Sequence, residues 1–206
     1  MDQKLGRKSM TKIKLSLIVV AIMVTQNCAT FISYPEGFKE EASLVENAIS
    51  NKILSIDYNQ KSVMSGTTTI LSDDMRKKVR DAYIKNLTKT KVFKEVTDNI
   101  EKADYKLTID ALDTGDPNLI LAFFSGLTLM IIPSYAVDNF EMTYTIKDGK
   151  NKTVGEYKRS ASFTTWISWF VLPLTPFYFT SSQFDSGTQA MLDSVIEEAI
   201  QAKVFK

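Results

Sequence analysis

The chain has 206 residues, 44% of them hydrophobic, with 25 basic against 24 acidic side chains for a formal net charge of +1. Such a balance offers no basic patch of the kind nucleic acid requires, and the length beyond residue 27 suits one ordinary domain. There is no histidine and one cysteine, which removes Ser-His-Asp and Cys-His mechanisms, the commonest general base, and any Cys/His zinc site.

Lys4, Arg7, Lys8, Lys12 and Lys14 make the first residues basic, and residues 15–24 follow as an uncharged, largely apolar run. Export signals carry about 7–15 such residues, whereas a membrane-spanning helix needs about 20. The pattern predicts an export signal over residues 1–27, with Met10 as an alternative start because two of the lysines lie beyond it. This region holds five of the basic residues and one of the acidic ones, so the remainder is slightly acidic.

Thr25-Gln26-Asn27-Cys28 ends the run, and Cys28 has no second cysteine with which to pair. Residues 12–28 resemble substrates of the bacterial lipoprotein signal peptidase. The usual box places a Leu-like residue and two small residues before the cysteine. Here Thr25, Gln26 and Asn27 depart from it, with Val24 one position early. The resemblance implies cleavage before Cys28 and its modification with several acyl chains, palmitate among them. One chain alone binds a membrane only marginally, at about 0.8 kcal/mol per buried CH₂, whereas several hold a protein there. Ala29 replaces the Asp that retains lipoproteins at the inner membrane in some bacteria, which favours the outer membrane. The competing readings are a secreted protein with a spare thiol and an uncleaved anchor.

Residues 28–37, with Pro35 and Gly37, read as a lipidated tether, and residues 38–206 as a single domain. A helix is expected over residues 38–51 from Ala42, Val45, Ala48 and Ile49. A strand over residues 53–63 carries Leu54, Ile56 and Tyr58 on one side, and residues 65–69 form a polar loop. The clearest helix covers residues 73–88: Ser72 caps it, Asp73 and Asp74 suit its N-terminus, and Met75, Val79, Ala82, Tyr83 and Leu87 form its stripe. A strand over residues 92–96 follows, then another in which Tyr105, Leu107 and Ile109 alternate with polar residues. A hairpin pairs the alternation Phe140, Met142, Tyr144, Ile146 with residues 153–163 across an Asp148-Gly149 turn. The chain ends in a helix from about Gly187, with Leu192, Val195, Ile196, Ala199, Ile200 and Val204 inward.

This order predicts an α+β fold: a mostly antiparallel sheet with helices packed on one face. The helix ending at Leu87, then Val92-Phe93-Lys94-Glu95-Val96, then a strand, resembles small α/β envelope accessory lipoproteins such as activators of peptidoglycan synthases. The shared stretch covers about thirty residues and implies an accessory role in the envelope.

Two uncharged apolar segments flank the hairpin, residues 119–137 and 166–179. Three readings compete: buried core and covering loops, segments dipping into the bilayer beside the lipid anchor, or membrane crossings. An exposed patch of this size also marks a partner site. The candidate membrane or partner contacts are Phe123, Phe124, Leu127, Leu129, Ile131, Trp166, Trp169, Phe170, Phe177 and Tyr178.

Other chemistry is thin. Leu112-Asp113-Thr114-Gly115 looks like the Asp-Thr-Gly of aspartic proteases, but that chemistry needs two such aspartates sharing a proton, and Asp116-Pro117 replaces the small residues expected next; a strand-ending turn is the better explanation of these residues. Asp110, Asp113 and Asp116 lack the spacing of a calcium loop, and Lys77, Lys78 and Lys85 sit on the solvent face of their helix. No metal or cofactor is expected. The sequence predicts a non-catalytic, membrane-anchored accessory or scaffold lipoprotein of the cell envelope. Its expected partners are the membrane, through lipid on Cys28, and an envelope protein. The alternatives are a structural surface lipoprotein and a small hydrolase using Asp113.

Overall fold

Period-two alternation of apolar and polar side chains decides the architecture, because it gives each strand one face to bury. The computed structural model describes residues 28–46 and 48–206, and the expected export signal lies outside them. Strands β1 (Cys28–Ser33), β2 (Ile49–Met64), β3 (Thr67–Ile70), β4 (Phe93–Thr97), β5 (Tyr105–Pro117), β6 (Ser134–Asp148) and β7 (Thr153–Ile167) join in one sheet. Its order is β1-β7-β6-β5-β2-β3, with β4 also pairing with β2. β2 is parallel to β5 and β4, and the remaining pairs are antiparallel. With helices α1 (Asp73–Thr90), α2 (Leu119–Leu127) and α3 (Thr180–Gln201), the fold is α+β, as the order of elements predicts.

Register stacks the inward residues in rows, Ile56 beside Leu107 beside Ile146, and Tyr58 beside Ile109 beside Tyr144. α1 covers this face with Tyr83 and Leu87, and α3 covers it with Met191, Leu192, Val195, Ile196 and Ala199, all in one core cluster. Each fully buried side chain of this size contributes about 1.5–3 kcal/mol. The opposite face carries Asp57, Lys106, Thr108, Thr143 and Thr145, and is polar.

α1 forms where its signals lie. Ser72 accepts the Met75 amide at 3.4 Å, and Lys91 closes the helix in the left-handed region. The buried stripe lies slightly off the expected one: Met75 and Ala82 are exposed, and Ile84 packs inward beside Val79. α3 begins at Thr180, a full turn and more before Gly187, which is a packing site inside the helix and not its start. A Cβ there would meet the Phe163 ring at 2.8 Å and Ile32 Cδ1 at 3.0 Å.

Several local expectations give way to pairing. Residues 28–33 are not a tether but the edge strand β1, in register with β7 from Cys28 opposite Ile167 to Ser33 opposite Ser162. The described residues of 38–48 form turns and bends, not a helix, and Ile49 already belongs to β2 opposite Phe93. Tyr34, Phe38 and Leu44 anchor this connection on the core while Val45 is exposed. Tertiary contacts thus override a helical pattern of modest propensity. Residues 65–69 are not a loop either. Ser65 and Gly66, at φ 48° and 79°, make a two-residue hairpin turn into β3. Between β6 and β7 the left-handed residue is Asn151 and not Gly149, and Asp148 Oδ1 accepts the amides of Lys150 and Lys152.

An apolar end of the sheet as the candidate functional site

Strand directions bring four uncharged stretches, residues 28–35, 62–72, 117–137 and 160–184, together at one end of the sheet. Cys28 starts β1 opposite Ile167, which ends β7 opposite Ser134 at the start of β6. β5 ends there with Pro117 opposite Ala136, and the β2–β3 turn lies beside it, with Met64 opposite Gly115.

α2 rises from this end. Asn118 Oδ1 accepts the Leu121 amide at 3.0 Å and starts the helix. Leu119, Ile120, Phe123, Phe124 and Leu127 share one helical face, and that face is exposed, with Phe123 at 63%. Ser125 is the buried residue of the helix. Leu129 and Met130 then take left-handed conformations, at φ 51° and 65°, and reverse the chain toward β6.

The second segment locks onto that reversal. Trp169 Nε1 donates to the Leu129 carbonyl at 2.6 Å, and the Ser168 hydroxyl donates to the Met130 carbonyl at 3.3 Å. A short 3₁₀ turn, Trp169–Val171, leads into further turns that end at α3. β1 is tied in as well: the Thr30 amide donates to the Tyr178 carbonyl at 2.9 Å, and the Phe31 and Tyr178 rings lie 4.8 Å apart.

Phe123, Phe124, Leu127, Leu129, Ile131, Trp169, Phe170, Phe177 and Tyr178 are all exposed at this end, Leu129 and Phe177 at 75%. Trp166 is half-buried, its ring 5.1 Å from that of Tyr135. Cys28 is half-buried at the start of its strand. The two segments are therefore not hydrophobic core; beside Ala29, the buried residues at this end are polar, namely Thr30, Ser125, Ser134, Ser168 and Thr175. Nor do they form crossing helices: α2 has nine residues, and no described helix is long and apolar enough to span a membrane. Met64 and Ile70 of the β2–β3 hairpin are exposed apolar residues outside the candidate set. The signal that marks their hairpin is the missing charge over residues 62–72.

Asp113 lies inside β5 and not in a turn, since the strand continues to Pro117. Alternation sends Asp113 inward, while Asp110 faces the other side and accepts Asn59 Nδ2 at 3.0 Å. The Ser62 hydroxyl donates to Asp113 Oδ2 at 3.0 Å, and Oδ1 is buried without a partner. Burial raises the Asp113 carboxyl above its usual range against the Ser62 hydrogen bond; burial, then the Asp113 charge, raises Asp138. Gly115 is small because a Cβ there would meet Met64 Cε at 2.7 Å and Asp138 Oδ1 at 3.0 Å. Among the described residues, no three His, Cys, Asp or Glu side chains cluster for a metal.

No protein-family model matches the sequence, and no curated protein matches it. Similar solved structures include a minor lipoprotein from Acinetobacter baumannii, 13% identical over 75% of this chain and 94% of that one, at a TM-score of 0.34. PelC from Paraburkholderia phytofirmans, crystallised as a dodecamer, is 12% identical over 84% and 97%, at 0.34. A DUF4136 family protein from Bacteroides thetaiotaomicron is 12% identical over 87% and 98%, at 0.29. Likeness of this degree does not assign the chain to a family.

Proposed function

We propose that the mature chain is a lipid-anchored protein of the bacterial cell envelope, held in the outer membrane through acyl chains on Cys28. In this reading it acts as a non-catalytic accessory or scaffold for an envelope partner. The observation that carries it is the position of Cys28. The residue that follows the export-type signal is also the first residue of β1, beside Ile167 at the uncharged end of the sheet. Its lipid would leave the protein at the end where both apolar segments are exposed, so anchor and apolar surface face the same way. The mass of the N-terminal peptide of the mature protein tests this. The expected peptide begins at Cys28 and carries the acyl chains; an unmodified cysteine, or a chain that retains residues 1–27, would falsify it.

A small hydrolase working through Asp113 is the competing reading, and the buried, unpartnered oxygen of that carboxylate beside Asp138 favours it. Under the accessory reading, Asp113→Asn leaves the cellular phenotype unchanged; a hydrolytic activity lost in that variant, with the fold retained, would replace it. Proteolysis of intact cells separates a surface protein, which is cut, from a periplasmic one, which is shielded.

A further inference from the structure

We infer that the apolar end of the sheet inserts into the acyl layer of one bilayer leaflet, as a second anchor beside the lipid on Cys28. The choice of lipid as occupant rests on the lipid-anchor reading; the surface itself does not. α2 is folded inside out, with Phe123 and Leu127 exposed and Ser125 buried. In water this arrangement is unfavourable at about 25 cal/mol for each Å² of apolar surface left exposed, and in hydrocarbon it is the favourable one.

Polar groups of the irregular backbone at this end find partners within the protein, which lipid demands and water does not. The left-handed Leu129 gives its carbonyl to Trp169 Nε1, and the Met130 carbonyl takes the Ser168 hydroxyl. The Ile132 amide finds Thr128 Oγ1 at 3.1 Å, and the buried Thr175 hydroxyl donates to the Val171 carbonyl at 3.2 Å. The surface also carries the residue types of a membrane interface. Phe170 and Phe177 are about three-quarters exposed, whereas Trp169 and Tyr178, the residue types that favour the headgroup level, are 37% exposed. Both segments are uncharged along their whole length, and a charged side chain is what the acyl layer tolerates least. At nine residues α2 is about 13 Å long, enough to lie within one leaflet and too short to cross two. Finally, β1 leaves no tether. Pinned to β7 and to Tyr178, it holds Cys28 at the level of the apolar end, so lipid and protein enter the same plane.

Flotation on a density gradient tests the inference. The mature chain with Cys28→Ala, exported behind an ordinary cleavable signal in place of residues 1–27, is mixed with phosphatidylethanolamine–phosphatidylglycerol vesicles. It is expected to rise with them. Combined Phe123→Glu, Phe170→Glu and Phe177→Glu substitutions should lower the bound fraction at least tenfold, with the circular dichroism and unfolding midpoint of the parent. A parent chain that stays in the dense fractions overturns the inference. So does one that self-associates in light scattering and no longer binds vesicles, since a second copy then covers this end. The mass of wild-type Cys28 separates the two proposals. Vesicle binding with an unmodified cysteine sinks the lipid-anchor reading alone, and a lipidated cysteine without vesicle binding sinks this one alone.

Discussion

At the scale of single residues, the contrast between buried and exposed aromatics is the most direct check on the apolar end. Phe163 is fully buried and stacked on Phe184, with ring centroids 4.2 Å apart. Phe163→Ala should lower unfolding stability by about 3–5 kcal/mol, whereas Phe177→Ser, at a site 75% exposed, should change it by no more than about 0.5 kcal/mol. Denaturant titration of the two variants reads both values. Gly187 gives a third test. Its Cβ would press on the Phe163 ring, so Gly187→Ala should cost about 1–3 kcal/mol through overpacking despite the better helix propensity of alanine.

Asp193 adds a pH dependence. Burial pushes its carboxyl up to about 6, against the Gln189 amide that donates to it at 2.7 Å. A carboxyl raised in the fold prefers its proton there. Its contribution is therefore fully present below the unfolded value of 3.8 and is lost as pH rises through about 6. Asp193→Asn should stabilise the protein at pH 7 by about 1 kcal/mol after allowance for solvent screening. The gain should vanish by about pH 4. Unfolding midpoints of parent and variant across that window decide it.

Among the elements, α1 and α2 show that an identical helical period serves opposite ends. Both have a side-chain cap, Ser72 on the Met75 amide and Asn118 on the Leu121 amide. α1 turns Tyr83 and Leu87 to the core, while α2 turns its apolar face outward. Asn118→Ala should cost α2 about 1 kcal/mol and speed exchange of the Leu121 amide several-fold in hydrogen exchange, with the core amides of β5 and β6 unaffected. The expected helix over residues 38–51 fails for a related reason. Ile49 gains more from pairing with Phe93 in the sheet than from a helix whose Val45 would face no core.

For the whole molecule, the sheet has two unlike ends. β6 and β7 run about 45 Å from the apolar end to the 148–153 turn. The chain terminus is held near that far end: Phe205 packs edge-on against Phe93 and Tyr105, and the Lys206 amide donates to Tyr105 Oη at 2.9 Å. If the apolar end meets the membrane, the strands stand away from it and the far end is the part presented to an envelope partner. Two anchors at one level should hold this orientation where one would not. With an ordinary cleavable signal in place of residues 1–27, Cys28→Ala combined with Phe123→Glu and Phe170→Glu should release the exported protein into the soluble fraction; Cys28→Ala alone behind that signal, or the two Glu substitutions alone in the native chain, should not, as cell fractionation with carbonate washing would show.

What the sequence by itself determined is what depends on neighbours along the chain. The alternation of Tyr105, Leu107 and Ile109, the cap of α1, the β6–β7 hairpin and the inward residues of the C-terminal helix read correctly, because period and capping are local properties; the buried stripe of α1, which leaves Met75 and Ala82 exposed, and the start of the last helix at Thr180 did not. The apolar runs at residues 119–137 and 166–179 were also visible, since hydropathy needs no partner. Whether those runs lay inside or outside was not visible. A run of Leu, Ile and Phe has the same composition under a core or over one, and only the strand order that gathers Cys28, Pro117, Ser134 and Ile167 at one end decides it. Tertiary structure alone also made residues 28–33 a strand, through hydrogen bonds to residues more than a hundred positions away. It placed Asp113 inside β5, since a strand's length is set by the partner it pairs with and not by the turn-forming residues it contains.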